Sequence, residues 1–246
     1  MTIHYHGTPI TPRSVLNSLA GRHFCVSFAA PHDVTTCHQI GQSVMLDNGA
    51  FSLWRSGKTT DWPGYYRWCE RWLGYRTTWA VIPDVIDGDE DDNDALIGQW
   101  PCGGDQAAPV WHMHESIGRL IRLAEDWPRV CLGSSGSYAV VGDVRWHARM
   151  TEAMNALCGS GPAPCWLHML RGMALSGSHY PFSSVDSTDV ARNHNRPANN
   201  AAAMSARWDS LQCAGKWSRR PEQQQLFAEG SDLRQIHGML QSGSTS

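Results

Sequence analysis

Seven short apolar runs, each breaking off into a polar or glycine-rich cluster, set the tightest limit on how this chain can fold. They are HFCVSFAAPHD (23–33), SVMLDNGAFS (43–52), TWAVIPDVID (78–87), APVWHMHES (108–116), RVCLGSSGS (129–137), CWLHMLRGM (165–173) and PFSSVDSTD (181–189). Their length and their β-branched and aromatic content are those of buried strands. Helical patterns lie between them. Asp61 and Pro63 are start signals for a helix whose Tyr65, Trp68, Cys69, Trp72 and Leu73 share one face. Ser116 opens a second helix, with Ile117, Leu120, Ile121 and Ala124 as its stripe, and Asp143 a third, with Met150, Met154 and Leu157. Strands alternating with helices demand crossovers, and crossovers make a parallel sheet. The fold class is therefore α/β, and the expected architecture is a compact (β/α)8 TIM-type barrel with its eighth strand near 211–218. A doubly wound open sheet is the alternative, weakened by the lack of Gly-x-Gly-x-x-Gly after the first strand. A single domain is expected over 1–229, with an alanine-rich helix in 196–210 and a loosely held tail over 230–246.

Composition narrows the function classes. The chain is 41% hydrophobic and 17% charged, the balance of an ordinary globular protein. A formal charge of -3 provides no global basic field. All but two of its 20 basic residues are arginine, and it holds 12 tryptophans, so stacking and planar hydrogen bonding are well supplied. None of the eight cysteines forms a Cys-x-x-Cys pair, which argues against a zinc knuckle. Cys25, Cys131 and Cys165 sit in apolar runs as free buried thiols would. No apolar run nears the ~20 residues of a membrane span, and MTIHYHGTPITPR lacks a signal-peptide pattern, so a cytoplasmic location without membrane contact is expected. The acidic run DGDEDDND (87–94) lacks the Gly and Glu of an EF-hand loop and reads as a solvated lead into a helix.

Barrel chemistry sits at the carboxyl ends of the strands. Three of those ends carry an aspartate directly after apolar residues: Asp47 in VMLD, Asp84 in VIPD and Asp186 in SSVD. A partly desolvated carboxylate has a raised proton affinity and can serve as acid, base or nucleophile. The plainer reading is that each caps the next helix or turn. Gly49, Gly133 and Gly136 would let a flat ligand approach the backbone. His112 and His114 in WHMH fall on one side of a strand, as metal ligands often do, but the chain's one other close pair is HYH at 4–6. No metal and no cofactor are expected.

Taken in order, these motifs resemble the tRNA-guanine transglycosylase superfamily, most closely its compact phage and bacterial branch that inserts 7-deazaguanines into DNA. LDNGAFS stands where that superfamily has Asp-Ser-Gly-Gly-aromatic, and VIPD where it has a base-recognising aspartate. LGSSG resembles its Gly-Gly-Leu-Ala strand end, HMLRG its Leu-Met-Gly segment, and SVDSTDVARN its nucleophile strand. The match runs over roughly 43–195. Asn48 replaces the usual serine, His112 falls where a glutamine is common, and the zinc subdomain is absent. The resemblance implies guanine exchange for a 7-deazaguanine base such as preQ0 or preQ1, in DNA rather than tRNA, through a covalent Asp–sugar intermediate. It implies Asp186 as nucleophile, Asp47 as the proton-handling acid–base and Asp84 as the base-recognising carboxylate. Asn48, Gly49, Phe51, His112, Gly133, Ser134, Ser135, Gly136, Leu170 and Arg171 would line the base site. Ser187 and Thr188 would donate to Asp186, and Arg192, Asn193, His194 and Arg196 would follow the phosphate backbone. Asp189 is the rival nucleophile, ranked lower as a helix cap. A homodimer is compatible with this reading, and a phage-encoded copy would act in the host cytoplasm. The competing classes are a nucleoside or DNA N-glycosidase that uses water, a non-catalytic nucleic-acid-binding barrel, and a metal-dependent hydrolase.

Overall fold

The structure is a computed structural model that describes residues 1–221. The expected tail over 230–246, and the last residues of the expected domain, lie outside the described residues. Among the described residues nine parallel strands form one sheet: β1 (Ile3–Gly7), β2 (His23–Ser27), β3 (Ser43–Asp47), β4 (Thr78–Val81), β5 (Ala107–Ala108), β6 (Val110–His112), β7 (Arg129–Gly133), β8 (Trp166–Met169) and β9 (Ser184–Ser187). Their spatial order is β5-β4-β3-β2-β1-β9-β8-β7-β6. The two edge strands are pieces of one run parted by Pro109, which has no N–H to give a ladder. That run meets β4 on one side, where Ile82 N–H donates to Ala108 O (2.9 Å), and β7 on the other, where Cys131 N–H donates to Pro109 O (2.9 Å). The sheet thus wraps into a nearly closed, TIM-type barrel.

Among the described residues nine α-helices surround it: α1 (Arg13–Asn17), α2 (Val34–Ile40), α3 (Ala50–Arg55), α4 (Trp62–Trp72), α5 (Glu90–Gly98), α6 (Ile117–Asp126), α7 (Val144–Cys158), α8 (Asp189–Asn193) and α9 (Ala201–Asp209). The expected starts hold. Asp61, Ser116 and Asp143 each accept a backbone N–H of the first turn of α4, α6 and α7. The acidic run becomes a capping box, Asp89 with Asp92, at the start of α5. The alanine-rich helix begins only at Ala201.

Strand alternation divides the core in two. Tyr5, Cys25, Met45, Trp79, Val81, Ala108, Val110 and Cys131 fill the barrel interior. Outward residues such as Phe24, Leu46, Leu132 and Leu167 pack under the helices. All seven expected runs contain strands, but the eighth stave is not at 211–218. It is β1, paired with β2 and β9. Residues 211–221 form neither helix nor strand. They lie against the outer layer instead, with Trp217 buried and its Nε1–H donating to Asn155 (2.9 Å). No helix among the described residues is long and apolar enough to cross a membrane.

Candidate active site

Asp47 is the last residue of β3, and Asp186 lies near the carboxyl end of β9. Their neighbours Leu46 and Val185 face the helices, so alternation turns both carboxylates toward the barrel axis. Asp84 follows β4. The three gather at one mouth closely enough to act on one another through space. Burial first, then the charges of Asp186 and Asp84, working against hydrogen bonds from Ser27 and the Gly49 amide, push the Asp47 carboxyl up to about 6. The same acids bear on Cys131, whose thiol burial drives well above its ordinary range.

Each acid is held differently. Asp186 Oδ1 accepts the Arg171 amide (2.6 Å), and His168 Nε2 lies 3.3 Å from the same oxygen. Among the described residues no donor reaches Oδ2. Ser187 does not donate to Asp186: its hydroxyl accepts the Asp189 amide at 3.0 Å. Thr188 stands at the N-cap position of α8 without a side-chain capping bond, and no bond from it to Asp186 is formed. Asp84 is buried, with Oδ1 accepting from Asn48 Nδ2 (2.7 Å) and His112 Nε2 2.9 Å from Oδ2, in ionic contact though not aligned as a hydrogen bond. Asp189 has no free carboxylate, since Asn193 donates to one oxygen (2.6 Å) and Trp208 Nε1 to the other (2.9 Å).

Several residues expected to touch a base are instead committed to the protein. Asn48 spans Asp84, the Ile82 carbonyl (2.9 Å) and the Ala50 amide (2.8 Å), so it orients Asp84. Gly49 has φ +78°, where a side chain would be strained, and its N–H donates to Asp47 (3.2 Å). The Ser134 hydroxyl accepts Trp146 Nε1–H (2.8 Å) and that of Ser135 pairs with His114 Nδ1 (2.7 Å); both serines are buried. Gly133 makes room for a neighbour: a Cβ there would meet His112 Nδ1 at 3.0 Å. Gly136, at φ +53°, turns the chain beside His114. Leu170 packs against the interior cluster.

Phe51 and Arg171 face one another, the guanidinium 4.1 Å from the ring centroid, and Arg171 also donates to the Ser134 carbonyl (2.9 Å). Arg171 has φ +57°, a conformation L residues avoid, and it points its amide at Asp186 and its side chain across the mouth. Of the expected backbone contacts, Arg192 and Arg196 are exposed. Asn193 and His194 are turned to local bonds, His194 with the Val190 carbonyl (3.0 Å).

Beside Asp84 lies a cleft of about 280 Å³ walled by Trp54, Lys58, Thr59, Trp62 and Ile86, at the small end of ligand sites. Asp47 and Asp186 do not line it. Sequence reasoning passed over these walls and the buried Glu115–Arg119 pair (2.6 Å), whose Glu115 accepts the His112 amide (2.8 Å), and it placed His168 at a strand end without a role of its own. His112 and His114 do stack, 5.6 Å apart. Among the described residues no group of three or more His, Cys, Asp or Glu is placed to hold a metal ion. No family model, curated protein or solved structure matches the chain.

Proposed function

We propose that the protein is a base-exchanging transglycosylase acting on guanine in DNA, with a 7-deazaguanine as the incoming base. The observation that carries this reading is the pairing of Asp186, one oxygen held and the other unoccupied, with Asp47, whose raised proton affinity suits it to give and take a proton near neutral pH. A flipped guanine nucleotide, extruded at a cost of roughly a few kcal/mol, presents C1′ to Oδ2 of Asp186. The C1′–N9 bond breaks as the Oδ2–C1′ bond forms, and protonated Asp47 gives its proton to the departing guanine. In the second half the incoming base loses its N9 proton to Asp47, its N9 attacks C1′, and the ester to Asp186 opens. Protons and electron pairs balance over the cycle, in the manner of a retaining glycosidase.

Asp84 accepts from the base's N–H groups, with Asn48 and His112 fixing the direction of its carboxyl. For the base to stack on Phe51, Arg171 must leave the ring face it now covers. The order of the motifs along the chain, which resembles that of the transglycosylase superfamily, supports the reading.

The test is mass spectrometry of nucleosides after DNA, or tRNA in a parallel arm, is incubated with the protein and labelled guanine, preQ0 or preQ1. Label in DNA is expected. Abasic sites without label would make the protein a water-using glycosidase, and label only in tRNA would reassign the polymer. Asp186→Asn should abolish both incorporation and any denaturation-resistant adduct while leaving the melting temperature within a few degrees. An Asn variant that still exchanged bases would refute the nucleophile assignment.

A further inference from the structure

His168 sits inside the barrel, fully buried, two residues before Leu170 on the same face of the strand and beside Ser184 in the register. Its ring is packed edge-on against Trp79 (centroids 5.2 Å apart, 69°) and Tyr5 (5.9 Å, 71°), which hold its plane. The proton on that ring can be located from its neighbours. Trp166 Nε1–H lies 2.7 Å from Ser184 Oγ, and an indole nitrogen can only donate. Ser184 is fully buried, so its own O–H needs an acceptor. Among the described residues the one it meets is His168 Nδ1, at 2.8 Å. Nδ1 is therefore an acceptor, and the neutral imidazole carries its hydrogen on Nε2. That nitrogen lies 3.3 Å from Asp186 Oδ1, near but not lined up for a hydrogen bond. Contacts of this kind are often long in the empty site and tighten around substrate.

We infer that His168 is a positioning residue for Asp186: Trp166, Ser184 and His168 form a one-directional chain of donors that aims Nε2–H at Oδ1, to close on it around substrate, and reserves Oδ2 for attack. The Arg171 amide reinforces the same choice of oxygen (2.6 Å). No proton changes hands along the chain. It sets the direction of the carboxylate. The identity of the attacked atom rests on the base-exchange reading; the tautomer and its cause do not.

Two measurements separate these layers. In full-length protein labelled with 15N-histidine, two-bond 1H–15N spectra read the tautomer directly, with His168 identified by its loss in His168→Gln. Nε2–H with a bare, hydrogen-bonded Nδ1 is expected. In Ser184→Ala the Nδ1 resonance should move toward that of a nitrogen accepting no hydrogen bond. In Trp166→Phe, which frees Ser184 to turn, the Nδ1–H form should appear. Wild-type protein protonated at Nδ1, or a His168 signal unmoved in whichever of the two variants folds, overturns the inference, and neither result depends on any enzymatic activity. The second measurement uses the exchange assay. His168→Leu should lower kcat roughly tenfold, the loss of one orienting contact, with KM unaltered. His168→Gln, which keeps a donor where Nε2 stood, should restore it. An unchanged kcat in His168→Leu also overturns the role. Should wild-type protein exchange no bases at all, the spectra still decide the donor chain while the proposed reaction falls.

Discussion

Asp47 ends a strand whose preceding residues are apolar, and burial beside Asp84 and Asp186 moves its carboxyl up to about 6. In the unfolded chain the same group releases its proton near pH 3.9. Between those values the folded state holds the proton more tightly, so stability is greatest at low pH and falls as pH rises through about 6. The full shift corresponds to ~3 kcal/mol, and partial access of water to the mouth reduces what is felt. Asp47→Asn should remove that slope, leaving the variant ~1–3 kcal/mol more stable than wild type at pH 8 and near parity at pH 4; urea midpoints at the two pH values check this. Gly133 is a second sensitive point, because a Cβ there would lie 3.0 Å from His112 Nδ1 and 3.1 Å from Val110 Cγ1. Gly133→Ala should cost ~1–3 kcal/mol by overpacking, read as a lower urea midpoint with an unchanged slope. The acids themselves were legible in the sequence, since a carboxylate straight after an apolar run is conspicuous. Their holders were not. Asn48, His112 and His168 owe their roles to partners on other strands, and one-dimensional spacing carries no record of which side chain meets which.

At the scale of elements, most of the fold could be read because two physical signals coincide. An apolar run of strand length marks a stave, and a capping residue marks the helix that returns from it. Asp143 shows the second signal at work: its carboxylate accepts the Trp146 amide at 2.7 Å, and Trp146 then sends its indole N–H to Ser134 at the mouth. Asp143→Ala should cost ~1 kcal/mol, measured as a shift in the denaturant midpoint, with far-UV circular dichroism of the native state unchanged. The stave that escaped reading is β1, IHYHG. His4 and His6 face outward and are buried, where the sequence shows only polar residues. They meet Asp209 of α9, His6 at 3.2 Å, and Arg22 completes the cluster at 2.7 Å from the same carboxylate. A strand whose outer face is buried through polar contacts has no apolar periodicity to show. The stretch 211–218 misled for the opposite reason, since the burial of Trp217 reflects docking onto the outer layer rather than a place in the sheet.

For the whole molecule, β1 is the piece that joins the two halves of the barrel. It is hydrogen-bonded on both sides, to β2 through Tyr5, His6 and Gly7 and to β9 through residues 3–6. Its Tyr5 also supplies the interior, accepting the Trp79 indole N–H at 2.9 Å and lying edge-on to His168. Taking it away would leave two ladders open in the middle of the sheet, not at an edge, and unpaired strands of that kind invite association. It would also strip the support from beneath Asp186, which pairs with Tyr5 in the register. Deletion of residues 2–7 should therefore yield a protein that keeps part of its far-UV signal but loses near-UV tryptophan ellipticity, binds ANS and melts without a cooperative transition. A truncated chain that unfolded in one sharp step would mean that β2 and β9 can close on each other. The mouth would then hold together without the strand that the geometry makes central to it.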